Sequence, residues 1–168
     1  SSVKIVVRIK SVFYVASVVR AYGMALDAYL QDPEGYVFSE EWFTELCKVS
    51  HREFTTGFYY GKPGSEGQNY ETSQYGRDTV FLGGFLSYDV KTVMALVEQR
   101  NKMQVGDLVE CFGPPTGGGK GTFFQQRISR MEDEEGTSLE SAPHARQRVR
   151  ILMEEPVSEK FLLRKQKC

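Results

Sequence analysis

Val80-Phe-Leu-Gly-Gly-Phe-Leu-Ser-Tyr88, Thr92-Val-Met-Ala-Leu-Val-Glu98 and Asp107-Leu-Val-Glu-Cys-Phe112 follow one another with only short polar breaks between them. Each run is brief and rich in β-branched and aromatic side chains. The breaks, Asp89-Val90-Lys91 and Val105-Gly106-Asp107, carry turn chemistry. Short apolar runs bounded this way are strands rather than helices. The pattern continues toward the C-terminus, with strands expected at Thr122–Met131, at Arg148–Glu154 and, short and last, near Phe161–Leu163. Gly113–Gly121, the acidic Glu132–Gly136 and Pro156 divide them. Six short strands across roughly 85 residues favour a small antiparallel β-barrel, closed or nearly closed.

Upstream the period changes. Ser65–Asp78 is polar with no apolar period and is expected to be a draped loop. Before it, Ser50–Gly64 (S-H-R-E-F-T-T-G-F-Y-Y-G-K-P-G) concentrates His51, Arg52, four aromatics and several glycines. It marks the joint between a helical part and the strands. In the helical part, Val12, Val15, Ala16, Val19, Tyr22, Leu26, Tyr29 and Leu30 recur at helical spacing behind a capping Ser11. Pro33 and Gly35 end that helix. A second helix is expected from Ser39, with Glu40 and Glu41 in its first turn and Trp42, Phe43, Leu46 and Val49 on its apolar face. Val3–Ile9 is short and β-branched, a strand expected to belong to something upstream. The class is therefore α+β, mainly β: residues 1–49 a leading segment and helical arm, 50–78 the joint and loop, 79–168 the barrel.

The totals narrow the function classes. With 168 residues and a net charge of −1, the chain as a whole is no basic nucleic-acid binder, so any such role needs a local patch. Cys47, Cys111 and Cys168 are odd in number and far apart, with neither metal-ligand spacing nor a disulfide framework, which fits reduced thiols in a cytoplasmic protein. No run approaches the ~18 apolar residues of a membrane span, so no membrane partner is expected. Charges interrupt the start, S-S-V-K-I-V-V-R-I-K, which is no signal peptide and reads as a fragment of a longer protein.

Three constellations could carry chemistry. Gly113-Pro-Pro-Thr-Gly-Gly-Gly-Lys120-Gly-Thr122 imitates a phosphate loop, but glycine follows the lysine and Thr122 opens a strand, so no helix N-terminus converges on a phosphate. His51 and His144 stand without a nucleophile motif, so no catalytic residue and no metal ligand is assigned. His51 beside Arg52 suits contact with an anion. Arg146, Arg148 and Arg150 alternate, so a strand would project all three from one face. With Arg127, Arg130 and the tail Arg164-Lys165-Lys167 they could form a basic surface, which the run Glu132-Asp-Glu-Glu135 could pair with. Arginines with exposed aromatics suit RNA phosphates and stacked bases, while a solvated face of weak surface ion pairs fits the same residues.

Longer motifs follow in order: Lys4-Ile-x-x-Arg8-x-Lys10-Ser11-x-x-Tyr14-Val-Ala16, Val19-Arg-Ala-Tyr22, Ser50-His-Arg52-x-Phe54-Thr-Thr-Gly57-Phe58 and Gly61-Lys-Pro63. Gln68-Asn-Tyr70, Ala95-Leu-Val-Glu-Gln-Arg-Asn-Lys102, Val105-Gly-Asp107 and Ala142-Pro-His144 complete them. Together they resemble the C-terminal part of peptidase family U32, the collagenase-like proteases. The resemblance implies an α/β-barrel catalytic domain upstream and a C-terminal β-barrel similar to the second domain of elongation factor Tu. It also implies kinship with prephenate-dependent tRNA hydroxylases. Their iron–sulfur cysteines lie in the upstream barrel and match none of the three here, so no cofactor is expected in this chain. Val6-Val7 stand where the family pattern has Glu-Gly.

The expected function is that of a non-catalytic accessory domain. It would position an RNA or protein substrate for the upstream catalytic domain, its expected partner, with tRNA or another RNA as the further one. His51, Arg52, Lys102, Arg148 and Arg150 are the expected binding residues. Two alternatives stay open: a peptidase activity that resides in or requires this region, and a protein-interaction module docking through the first helix.

Overall fold

Ser11 and Ser39 each begin a helix for the same reason: a serine hydroxyl satisfies an amide that the helix cannot. In the computed structural model, which describes residues 4–6, 10–49, 54–62, 64, 79–114 and 122–167, Ser11 Oγ accepts from Tyr14 N at 3.3 Å and opens α1, Val12–Gln31. Ser39 Oγ accepts from Glu41 N at 3.3 Å and opens α2, Glu40–Cys47. Asp32 stops α1, its amide donating to Ala28 O and its carboxylate taking the Gly35 amide at 3.0 Å. The expected apolar face of α1 is not the buried one. Phe13, Ser17, Val18 and Ala21 are buried, whereas Val12, Val19, Tyr22, Leu26, Tyr29 and Leu30 are exposed. The two helices meet around Glu45, which is buried and lies 3.7 Å from Arg20 Nε and 3.4 Å from Lys48 Nζ. Tyr36 stacks on Trp42 at 5.7 Å, and Phe38 meets that indole edge-on.

The chain divides into two units, Ser1–Asp78 and Thr79–Cys168. Of Val3–Ile9 only residues 4–6 are described, and they pair with no strand among the described residues. The loop expected at Ser65–Asp78 lies outside the described residues, as do residues 115–121 of the glycine-rich run and, in the joint, residues 50–53 and 63.

Among its described residues the second unit has nine strands: β1 Thr79–Asp89, β2 Met94–Gln99, β3 Met103–Gln104, β4 Leu108–Gly113, β5 Thr122–Arg127, β6 Met131–Glu132, β7 Ser141–Ala142, β8 Arg148–Leu152 and β9 Leu162–Gln166. Seven form one curled antiparallel sheet in the order β5-β4-β9-β1-β2-β8-β6, and β3 pairs with β7 in a separate ribbon. The six expected strands are there; the ribbon β3–β7 adds two to the count, and a break in one expected run adds the third. The run expected as Thr122–Met131 breaks after Arg127; its first half pairs with β4 and its second with β8. Ile128 N donates to Asp107 O, and Arg130 O accepts from Leu152 N. One stretch of chain therefore runs from one edge of the sheet to the other.

Curvature is concentrated in β1, whose register slips between Phe81 and Gly83 against β9 and between Phe85 and Ser87 against β2. Bulges of this kind bend a strand and increase its twist. Gly83 allows the close approach: a Cβ there would strike the carbonyl oxygen of Glu98. The inward side chains, among them Leu82, Phe85, Ala95, Val97, Val109, Cys111, Ile128, Met131, Val149, Ile151, Phe161 and Leu163, form one apolar core. On β4 and β9 the outer face is buried as well. Glu110 and Arg164 sit opposite each other there, with Arg164 Nε donating to Glu110 Oε2 at 2.6 Å. The tail therefore does not join a basic surface as expected: Arg164 is wholly buried and Lys165 is bound to Asp107 at 2.6 Å.

Candidate functional site

Strand β8 follows the period of two that a half-buried strand requires. Val149 and Ile151 point into the core, and Arg148 and Arg150 stand on the solvent side. Register fixes their neighbours. Arg148 lies opposite Glu98 of β2, and Arg150 lies between Leu96 of β2 and Glu132 of β6. Arg146 does not extend this row as expected. It precedes the strand with a left-handed φ of 65°, and its amide donates to Gln99 O.

The face carries carboxylates in near-equal number, and most of its charges are paired. Arg130 Nε donates to the largely buried Glu132 at 2.6 Å, Arg100 meets Glu98 at 2.8 Å, and Arg148 meets Glu134 at 3.6 Å. The last pair is about half exposed on both sides, a geometry that contributes little and yields readily to a better partner. Arg150 differs. It is exposed and makes no hydrogen bond or ion pair with any described residue, its charge acting on Asp89 at a distance.

Arg150 stands at the rim of a hollow of about 390 Å³, lined by Ser87, Tyr88 and Asp89 of β1, Thr92, Met94 and Leu96 on or before β2, and Arg130 and Glu132 across β8. Leu96 and Met94 are half-buried and supply an apolar floor. Asp89 is held by the turn it caps, with Thr92 Oγ1 donating at 2.8 Å and Lys91 N at 2.9 Å. The Thr92 hydroxyl, then the Lys91 amide, and more weakly the charge of Arg150 keep its carboxyl below the ordinary value of 3.8. The hollow thus places the apolar side chains of Met94 and Leu96 between the Arg150 guanidinium and the Asp89 carboxylate.

The expected site residues are only partly brought together. Arg148 and Arg150 share one face. Lys102 is exposed in the turn between β2 and β3, where residues 99–104 run beside 141–147; this is the Arg148 end of the face. His51 and Arg52 lie outside the described residues. His144 is exposed in the turn before β8, where its carbonyl accepts from Gln147 N. Arg127 turns away, donating to Gly106 O at 2.9 Å. Ser87, Asp89, Thr92, Met94 and Leu96 were not expected in a site. Asp89 was legible only as a turn residue, and nothing in the local sequence reveals that β1 and β2 bring their outer faces beside β8. Cys111 is buried, which pushes its thiol up to about 12 and leaves it unreactive. No helix is long and apolar enough to cross a membrane among the described residues.

A helical unit joined to a curled β unit with this charged outer face defines a two-part architecture, and its kinship is direct. Residues 1–69 match the model of peptidase family U32, and residues 77–164 match that of the peptidase family U32 C-terminal domain. The chain belongs to peptidase family U32. It is similar to the tRNA hydroxylation protein P1 of Bacillus subtilis (strain 168), 38% identical over 99% of this chain and 38% of that protein. It is also similar to the tRNA hydroxylation protein P of Escherichia coli (strain K12), 30% identical over 84% of this chain and 29% of that protein. The chain thus spans well under half the length of the curated relatives it matches. A solved C-terminal domain of a Geobacillus thermoleovorans protein of the U32 peptidase group is 37% identical, with a TM-score of 0.47, over 51% of this chain and 99% of that one.

Proposed function

We propose that this chain is the substrate-positioning part of a U32 protein acting on tRNA, and that its β unit contacts RNA through the outer face of β8 without performing the chemistry itself. The observation that carries this reading is the pair Arg148 and Arg150, projected side by side from β8. One guanidinium is without a partner among the described residues and the other is held only by an exposed pair. Arginines in this state need little desolvation or rearrangement to donate to phosphate oxygens in a bidentate fashion. The relatives named as tRNA hydroxylation proteins support RNA as the substrate class. Because the net charge is −1, attraction comes from this face and not from the chain as a whole.

The experiment is direct binding of bulk tRNA to the 168-residue chain at low salt. Arg148→Ala/Arg150→Ala is the test variant and Lys160→Ala, an exposed cation in the turn before β9 that does not line the hollow, is the control. Each lost charge-assisted contact is worth about 1.5–3 kcal/mol, so the double variant, which loses two, weakens binding by more than about a hundredfold. The control stays within about twofold of the parent, as an isolated surface charge should. Equal loss in both variants, or no binding by the parent chain, removes this reading.

A further inference from the structure

We propose that the hollow on the outer face of β1, β2, β8 and β6 seats one unpaired nucleotide, with Arg150 at its phosphate and Met94 and Leu96 beneath its base. The inference rests on the RNA reading above and adds to it a defined seat with a defined ligand unit.

Size comes first. A hollow of about 390 Å³ lies at the small end of the range for ligand pockets, roughly 300–1,000 Å³. It suits one nucleotide rather than a run of strand or a duplex groove.

The composition of its rim is the more selective observation. Arg130 and Arg150 are balanced by Asp89 and Glu132, so the rim carries no net charge. Two of these four are already bound to each other: Glu132 is largely buried and holds Arg130 at 2.6 Å. Both oxygens of Asp89 already accept, Oδ1 from the Lys91 amide and Oδ2 from the Thr92 hydroxyl, and each keeps a lone pair for a further donor. Only Arg150 has its whole donor set open. A bare anion would meet one free cation and two carboxylates and would bind poorly. A ligand with one anionic group, several N–H or O–H donors and a flat face satisfies all of the rim at once. A nucleotide has that combination: phosphate for Arg150, sugar hydroxyls or base N–H groups for Asp89 and Glu132, and a π-face for Leu96 and Met94. Base recognition of this kind requires an unstacked base, as single-stranded loops provide.

The position also matches the proposed track. Arg150 is two residues along β8 from Arg148, and both project outward, about 6.6 Å apart at the strand's rise. A backbone crossing Arg148 therefore arrives at the hollow within one nucleotide step.

The test uses the full chain with methionine methyls labelled, so that Met94 reports on the floor. The probes are the four 5′-mononucleotides, the matching nucleosides and inorganic phosphate. The expected result is saturable shifts at Met94 with a mononucleotide, at least about fivefold weaker binding of the nucleoside, and still weaker binding of phosphate. Arg150→Ala weakens the mononucleotide at least about tenfold and Arg150→Lys recovers part of that loss, because a lysine keeps the charge without the planar fork. Three outcomes overturn the seat: phosphate binding as tightly as the mononucleotide, Arg150→Ala without effect, or tRNA binding that persists while no mononucleotide perturbs Met94. In the last case the RNA reading survives alone, whereas loss of both tRNA and mononucleotide binding removes the two together.

Discussion

Replacing Arg164 by methionine should strongly destabilise the β unit, although the sequence places that arginine in a basic tail. Its side chain is completely excluded from water and donates to Glu110, itself nearly so, at 2.6 Å. Its guanidinium also lies 4.4 Å from the centre of the Phe112 ring, and Gln125 holds the other Glu110 oxygen at 3.1 Å. Methionine matches the aliphatic stem but leaves Glu110 as a buried carboxylate without its cation. Removing one member of a buried pair costs about 3–5 kcal/mol, most of it the stranded charge. A unit of this size has about 5–15 kcal/mol in total. At roughly 4–8 °C per kcal/mol, the melting temperature falls by at least about 12 °C. Urea denaturation followed by far-UV circular dichroism measures the loss. The companion variant Glu110→Leu/Arg164→Met removes both charges and should recover most of the stability, because apolar replacement of a whole buried pair is often neutral or better. A loss below about 1 kcal/mol for Arg164→Met would mean the pair behaves as an exposed one. A double variant no better than the single would mean that charge stranding is not the cause; either result refutes the reasoning.

Other substitutions probe other parts. Gly83→Ala drives a Cβ into the backbone oxygen of Glu98, which no side-chain rotation can relieve, and should cost about 1–3 kcal/mol in a thermal melt. Ser11→Ala removes the acceptor for the Tyr14 amide and should lower the stability of the helical unit by about 0.5–2 kcal/mol, read from its helical dichroism. Cys111, with its thiol raised to about 12 by burial, should stay unlabelled by iodoacetamide at pH 8 until urea unfolds the sheet. Asp89 has a folded pKa below 3.8, so its contribution to stability is complete above pH 4 and is lost as pH falls through the folded value. Asp89→Asn should therefore flatten the acid limb of the stability curve below pH 4.

How much of this was legible depends on how far apart the deciding residues lie. The caps at Ser11 and Ser39 and the alternation Arg148-Val-Arg150-Ile are local patterns, and each shows in the structure where the spacing placed it. The ribbon of Met103–Gln104 with Ser141–Ala142 was not legible, since two residues carry no period. Nor was the break after Arg127: Ile128-Ser129-Arg130 has ordinary strand composition, and the bend is set by pairing with Asp107 on one side and Leu152 on the other. Helix α1 shows the opposite failure. Its apolar stripe is real in sequence, yet the buried face runs through Phe13, Ser17, Val18 and Ala21. Arg164 went astray because its partner Glu110 is 54 residues away, and because an arginine followed by lysines ordinarily signals solvent. In the candidate site, Arg148 and Arg150 were readable from alternation, while the hollow beside them exists only because β1 and β2 fold alongside β8.

The central claim is that the outer face of β8 meets nucleic-acid phosphates. Its most direct test is the salt dependence of tRNA binding. Each phosphate contact contributes about 0.7–0.9 to the slope of log K against log salt. The account predicts a steep negative slope for the parent chain and a slope shallower by about 1.4–1.8 in Arg148→Ala/Arg150→Ala. An unchanged slope in that variant, or binding by the parent that ignores salt, would contradict it.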